Sequence, residues 1–206
     1  MPCQSLPGLG ITAGAHRLWS HRSYRANLAL RAILCFFNTM AVQNSLYDWC
    51  RDHRVHHKFS ETDADPHNAT RGFFFSHIGW LLSKKHPDVI RKGKTVDLSD
   101  LLDDPIVRFQ RKYYKLLILI GAVFVPMFVP YLLWSETLFN SFYICVLFRY
   151  CYTLNWFVIF LHDNCQITFI SRLICFFSLF LFSTWLVNSA AHLYGNQPYD
   201  KSINPR

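Results

Sequence analysis

The sequence predicts an all-α protein built on integral membrane helices. Three observations carry that expectation. Hydrophobic residues make up 51% of the 206 residues and aromatics 17%, while charged residues reach only 17%, below the roughly 25% of an ordinary soluble protein. The charge is also unevenly placed: residues 43–115 hold 13 Lys or Arg and 10 Asp or Glu, whereas residues 116–206 hold four and three. Finally, that second part contains two 19-residue stretches without a charge, 116–134 and 173–191, each long enough to cross about 30 Å of hydrocarbon as a helix.

In chain order, residues 1–15 are small, rich in Gly and Pro, and read as a flexible stump of something longer. They lack the charged and apolar regions of a secretory signal. Residues 28–42 are apolar apart from Arg31, Asn38 and Thr39; as a helix of about 22 Å they fall short of a comfortable span and belong in the interface or the core. Residues 43–115 are polar and loop-rich with helical patches, among them DLSDLLDDP, a short helix stopped by Pro105. Residues 116–134 form a span kinked by Pro126 and Pro130, and Ser135 and Glu136 a turn. Residues 137–161, whose one charge is Arg149, form a second candidate span, and residues 173–191 a third.

The net charge of +8 raises nucleic acid as a partner, but the basic residues form no long run and the apolar segments call for membrane lipid. Positive charge beside membrane spans marks a cytoplasmic face or a phosphate-bearing ligand. The seven cysteines include no C-x-x-C pair, which argues against thiolate zinc; several sit in apolar runs and read as buried reduced thiols.

The histidines carry the chemistry. His53, His56 and His57 fall at i, i+3 and i+4, one face of a helix. Three imidazoles repel when protonated and have little reason to gather unless a metal binds them; neutral imidazole suits iron, copper or zinc. Asn188 and His192 share a face at the end of an apolar span, a functional hypothesis by default in a membrane helix. His16 and His21 are five apart, about 140° around a regular helix. They could serve one metal only where the helix ends, or each could serve a different metal. His67, His77, His86 and His162 read as ordinary core or surface groups.

The stretches GITAGAHRLWSHRSY, YDWCRDHRVHHKFSETDADPHN, RGFFFSHIGWLL and TWLVNSAAHLYGNQPYDK resemble the acyl-CoA desaturases of the stearoyl-CoA Δ9 type. The resemblance covers nearly all of the chain except residues 156–183. It implies membrane helices carrying a cytosolic helical cap with a histidine-box di-metal site between them. His16, His21, His53, His56, His57 and His192 would ligate two irons, and Asn188 would hold one through a water. The implied reaction introduces a double bond into a saturated fatty acyl-CoA using dioxygen and electrons from cytochrome b5, in the endoplasmic reticulum membrane. Asn44, Arg51, Asp52, Lys84 and Lys85 match positions that grip the CoA head group, and Trp49 and Thr184 match positions that bend the acyl tunnel. Lys84 stands where the family often has Arg and would give up the bidentate fork.

Three departures from the family pattern are expected to matter. The chain opens just before the first histidine box, without the two membrane helices that precede it in the family. It ends before the third box, H-x-x-H-H, so the desaturase domain of residues 1–206 reads as partial, incomplete and inactive alone. Residues 156–183 have no counterpart; this hydrophobic insert ends in CFFSLFLFS, as a retained intron would. Two other readings are a fatty acyl hydroxylase of the same metal class, separable by product analysis, and a non-catalytic membrane fragment, separable by metal analysis.

Overall fold

The computed structural model describes residues 2–148 together with Ser189 and His192, and every regular element among them is helical. Helix α1 (Pro2–Leu9) runs directly into a π-helical segment, Gly10–Ser20. Residues 1–15 are therefore not a flexible stump, and the glycines explain why. A Cβ on Gly10 would lie 2.1 Å from the backbone nitrogen of Asn38, and one on Gly14 would press on the Trp19 and Leu34 side chains. Here glycine supplies a close helix crossing rather than freedom.

The crossing partner is α2 (Leu28–Ala41), the short apolar helix. Asn27 caps it by accepting from the Leu30 amide at 2.9 Å, and it stops at Val42, whose φ of 53° is left-handed. Ser45 then caps α3 (Leu46–Phe59) by accepting from the Asp48 amide. Beyond α3 come a compact loop, a single 3-10 turn (Ala69–Arg71), a π-helical turn (Phe75–Gly79) passing into α4 (Trp80–Leu82), and α5 (Pro87–Gly93).

The short helix expected near residues 97–105 is α6 (Ser99–Asp103). Asp104 accepts from the Ile106 amide and so caps the next helix, which Pro105 opens at its first position. That helix, α7 (Pro105–Ile118), continues through a π-helical stretch (Leu119–Phe124) into α8 (Val125–Trp134). The whole run is 30 residues, about 45 Å, so it begins 11 residues before the expected span. The added part is helical without being apolar: Val107 and Gln110 face inwards and Arg108, Arg111 and Lys112 face out. The backbone leaves helical geometry at Tyr113, and it widens in the turn before Pro126, so the prolines follow the irregularity rather than interrupt the helix. Its most apolar stretch is only 17% buried, as suits a candidate span more than a core helix. Ser135, left-handed at φ 52°, ends it in the expected turn, and Thr137 caps α9 (Leu138–Phe142), which runs into a π-helical Tyr143–Phe148. The rest of the second candidate span, residues 156–183, and the third span apart from Ser189 lie outside the described residues.

The core gathers Ala15, Leu18 and Trp19 from the π-helical segment, Leu34 and Cys35 from α2, Leu46 and Cys50 from α3, with Leu101 and Val107 beneath. At its edge the fully buried Gln110 ties three helices together. Its carbonyl accepts from the Leu46 amide at 2.9 Å, and its amino group donates to Asn38 and Thr39 at 3.1 Å each. Arg54 on α3 donates to the Trp19 carbonyl and to Asp100, which Arg22 also holds. These bonds fix α3 against the π-helical segment, and the histidines of both face one place.

Candidate metal centre

The π-helical turn resolves the five-residue spacing of His16 and His21. The His21 amide donates to the His16 carbonyl at 2.9 Å, an i to i+5 bond that closes a wider turn than the α-helix allows. The two rings are thereby brought 4.5 Å apart between centroids. The helix also ends at His21. Both residues therefore serve one place, and the regular-helix separation of about 140° does not apply.

From α3, His53 and His57 enter the same place. The Nε2 atoms of His21 and His53 lie 3.0 Å apart and those of His57 and His53 3.1 Å apart. The ligating nitrogens of His16, His21, His53 and His57 all fall within 4.8 Å of one another. Neighbouring nitrogens on an ion bound at about 2.1 Å are about 3.0–3.4 Å apart. The donor set thus fits a divalent transition metal, and three converging Nε2 atoms cannot all be satisfied by the single N–H of each neutral ring.

His56 turns to the other flank of α3. Its Nδ1 meets the Asp65 carboxylate at 2.8 Å, its ring lies 5.2 Å from that of His67 and 5.0 Å from that of His192. His56, Asp65 and His67 form a second, fully buried group able to hold a metal. His192 Nδ1 lies 3.3 Å from the Glu61 carboxylate. The two groups adjoin, since the rings of His56 and His57 are 5.5 Å apart.

Electrostatics favour the neutral form at five of these imidazoles. Burial, reinforced by neighbouring histidines, pushes His57 down to about 4 and His53 further. Burial and His21 lower His16, burial and His56 lower His192, and burial holds the enclosed His67 down to about 3. Asp65 resists burial, which would raise it; the His56 hydrogen bond keeps it below the usual carboxylate range. A crowd of neutral rings is the state a cation needs.

Trp49 stacks on His53, ring centroids 4.8 Å apart and 25° from parallel, and so walls the first group. Asp52 is buried and bridges Arg51 and Lys85 at 3.0 and 2.5 Å. All three line a cavity of about 660 Å³ with Lys94 and the apolar Val89, Ile90 and Leu102. Asn44 and Lys84 are exposed and do not line it. Thr184 and Asn188 lie outside the described residues. Among the histidines read as ordinary, His86 only caps α5, His77 bonds to Ser189 at 3.1 Å, and His162 is not described. His67 differs: it is buried inside the second group. Sequence reasoning also passed over Glu61 and Asp65. The available signal was three carboxylates, Glu61, Asp63 and Asp65, in the loop directly after a histidine box, where metal-binding imidazoles need acceptors.

The comparisons agree with this centre. The fatty acid desaturase family model matches residues 4–205. The chain belongs to the fatty acid desaturase family. It is 54% identical over 204 residues to stearoyl-CoA desaturase 5 of Bos taurus, covering 99% of this chain and 53% of that protein. It is 55% identical over 198 residues to the acyl-CoA Delta-9 desaturase of Acheta domesticus, covering 96% and 48%. The human stearoyl-CoA desaturase 5 is 53% identical over 204 residues, covering 99% and 54%. This desaturase-family chain spans about half the length of the curated relatives it matches. Its histidine groups could hold metal, and among the described residues one helix is long and apolar enough to cross a membrane.

Proposed function

We propose that these residues form one side of the di-iron centre of an acyl-CoA desaturase of the endoplasmic reticulum membrane, which introduces a double bond into a saturated fatty acyl-CoA. The observation that carries this reading is the meeting of imidazoles from distant segments at two adjoining places. His16, His21, His53 and His57 would hold one iron. His56 and His192, with Asn188 through a water, would contribute to the second. Iron bound there supplies the dioxygen chemistry that an unactivated C–H bond requires. The chain's own residues bind, orient and shield. Trp49 covers the ring of His53 and borders the path of the acyl chain, and Thr184 would shape its bend. Arg51 and Lys85, held in place by Asp52, offer positive charge to the CoA phosphates at the mouth of the cavity. Asn44 and Lys84 would add outer contacts. Cytochrome b5 is the proposed electron donor, and further spans and ligands are expected from the rest of a protein as long as the relatives.

Residues 156–183 are read as an insert in the desaturase domain; transcripts that lack them in frame would support that, and abundant message that keeps them would overturn it. The function is tested by expressing the protein at the length of its relatives and measuring iron and product together. About two irons per chain and a new double bond in a saturated acyl-CoA are expected. A hydroxylated product would move the assignment to the hydroxylases, and a metal-free, fully folded protein would remove it.

A further inference from the structure

We propose that Asp65 and Glu61 are positioning residues that aim His56 and His192 at a shared metal ion: each carboxylate engages the Nδ1 atom of one ring and leaves its Nε2 atom to the ion. The inference rests on the metal-binding reading above and deepens it, assigning roles to two loop residues rather than to further ligands.

The geometry carries it. A neutral imidazole has one N–H, and a carboxylate at Nδ1 places the proton there, so the lone pair sits at Nε2. His56 Nδ1 lies 2.8 Å from Asp65 Oδ1, and His192 Nδ1 lies 3.3 Å from Glu61 Oε1. The two rings are 5.0 Å apart at an angle of 61°. Two rings fixed from behind at that separation can address one point between them. Such carboxylate–histidine pairs orient a ligand and raise its basicity.

Within the buried group of His56, Asp65 and His67, Asp65 is the member whose oxygens are already engaged, which leaves ligation to the rings. Its Oδ1 also accepts from the His67 amide at 2.9 Å, and its Oδ2 accepts from the Glu61 amide at 2.8 Å. Three donors thus occupy a carboxylate with about four acceptor positions, whose side chain is 1% exposed. Hydrogen bonds within the chain hold the loop that presents both carboxylates. Ser60 donates to the His56 carbonyl at 2.7 Å, Asn68 donates to the Thr62 carbonyl at 3.0 Å, and Glu61 turns the chain with a left-handed φ of 59°. One bond, from the Glu61 amide to the Asp65 carboxylate, couples the two anchors, so the loop acts as a single cradle.

The test uses the protein at the length of its relatives, stripped of metal and titrated anaerobically with Fe2+ and, for its visible spectrum, with Co2+. E61Q removes the charge from an anchor without touching the loop's backbone bonds, and E61D restores it. D65N removes the charge at the other anchor, where the side chain also accepts two backbone amides. H56A and H21A are the reference variants for the two ions. Expected for E61Q and D65N is a 10–100-fold loss of affinity for one ion, with an altered Co2+ spectrum for that ion alone. The second ion, on the side of His21, stays bound. E61D should recover most of the loss, and the metal-free E61Q protein should melt as the parent does. Because Asp65 also holds two backbone amides, D65N can fail to fold; E61Q then decides alone. If H56A loses an ion while folded E61Q binds both as the parent does, with an unchanged Co2+ spectrum, the positioning role is wrong and the metal reading stands. If H56A and H21A both bind two ions like the parent, the metal reading fails and takes this inference with it.

Discussion

Gln110 completes the buried N-terminus of α3 from a helix 64 residues further along the chain: its side-chain carbonyl accepts from the Leu46 amide at 2.9 Å. The same side chain donates to Asn38 and Thr39 of α2. One residue thus sets the helix that carries His53, His56 and His57 against the long helix of residues 105–134. Replacing Gln110 with Leu keeps the volume and strands the Leu46 amide and the Asn38 side-chain carbonyl, while Thr39 keeps its bond to the Cys35 carbonyl. A loss of about 3 kcal/mol is expected, at 1–3 kcal/mol for each unpaired group with partial relaxation. Chemical unfolding in detergent measures it; a change below about 0.5 kcal/mol would show that the two groups find other partners.

Glycines of this chain differ sharply in what they tolerate. A Cβ on Gly10 would meet the α2 backbone at 2.1 Å, whereas a Cβ on Gly121 would meet only the Phe36 and Met40 side chains, at 3.4 Å and beyond. Gly10→Ala should push α1 and the π-helical segment off α2, costing about 1–3 kcal/mol and reducing metal loading. Gly121→Ala should be neutral or slightly stabilising. Paired melts and iron counts of the two variants check this.

The histidine groups give the metal-free protein an acid sensitivity with a definite sign. His57 sits at about 4 and His67 at about 3 in the folded chain, and His16, His53 and His192 are also held below the ordinary 6.5. The unfolded chain therefore binds more protons than the folded one below about 6.5. This contribution to stability is complete above that pH and is lost as pH falls through about 4 and then 3. Thermal melts of metal-stripped protein should be flat from pH 8 to 7 and fall steadily below 6. Bound metal should delay the fall, since protons and cation compete for the same nitrogens. A melting temperature that rises on acidification would contradict the neutral-ring arrangement.

Lys84 and Lys85 are neighbours in sequence with different expected weights in acyl-CoA binding. Lys85 reaches the cavity and is held by Asp52, while Lys84 is exposed and outside it. Lys85→Ala should weaken acyl-CoA binding about tenfold, or about 1.4 kcal/mol, and Lys84→Ala by less than threefold. Asp52→Asn should free Lys85, leave Arg51 held by Asp48 alone, and weaken binding despite adding net positive charge. Calorimetric titration with a saturated acyl-CoA distinguishes these outcomes; tighter binding by Asp52→Asn would mean that charge, rather than placement, governs the site.

Much of this was legible in the sequence, and the failures have physical causes. Apolar length marked residues 28–42 as a short helix, observed over Leu28–Ala41, and the i, i+3, i+4 pattern put His53, His56 and His57 on one helix. The pattern could not say that His56 would turn away from His53 and His57 towards Asp65, because that depends on a loop closing back over nine residues. Gly10 and Gly14 looked like flexibility because a glycine's contacts with α2 are invisible until both helices are placed. His16 and His21 stayed ambiguous because a regular turn was the only ruler available.

That last ambiguity makes the backbone part of the ligand specification. In the wide coil of residues 10–20, a box of two histidines works with four residues between them; at ordinary pitch the same box would work with three. Deleting one of residues 17–20 and letting the spiral relax would keep the two rings side by side, whereas tightening the pitch without a deletion would rotate one of them out of reach. Spacing between coordinating residues, in this segment, records the gauge of the coil on which they are wound.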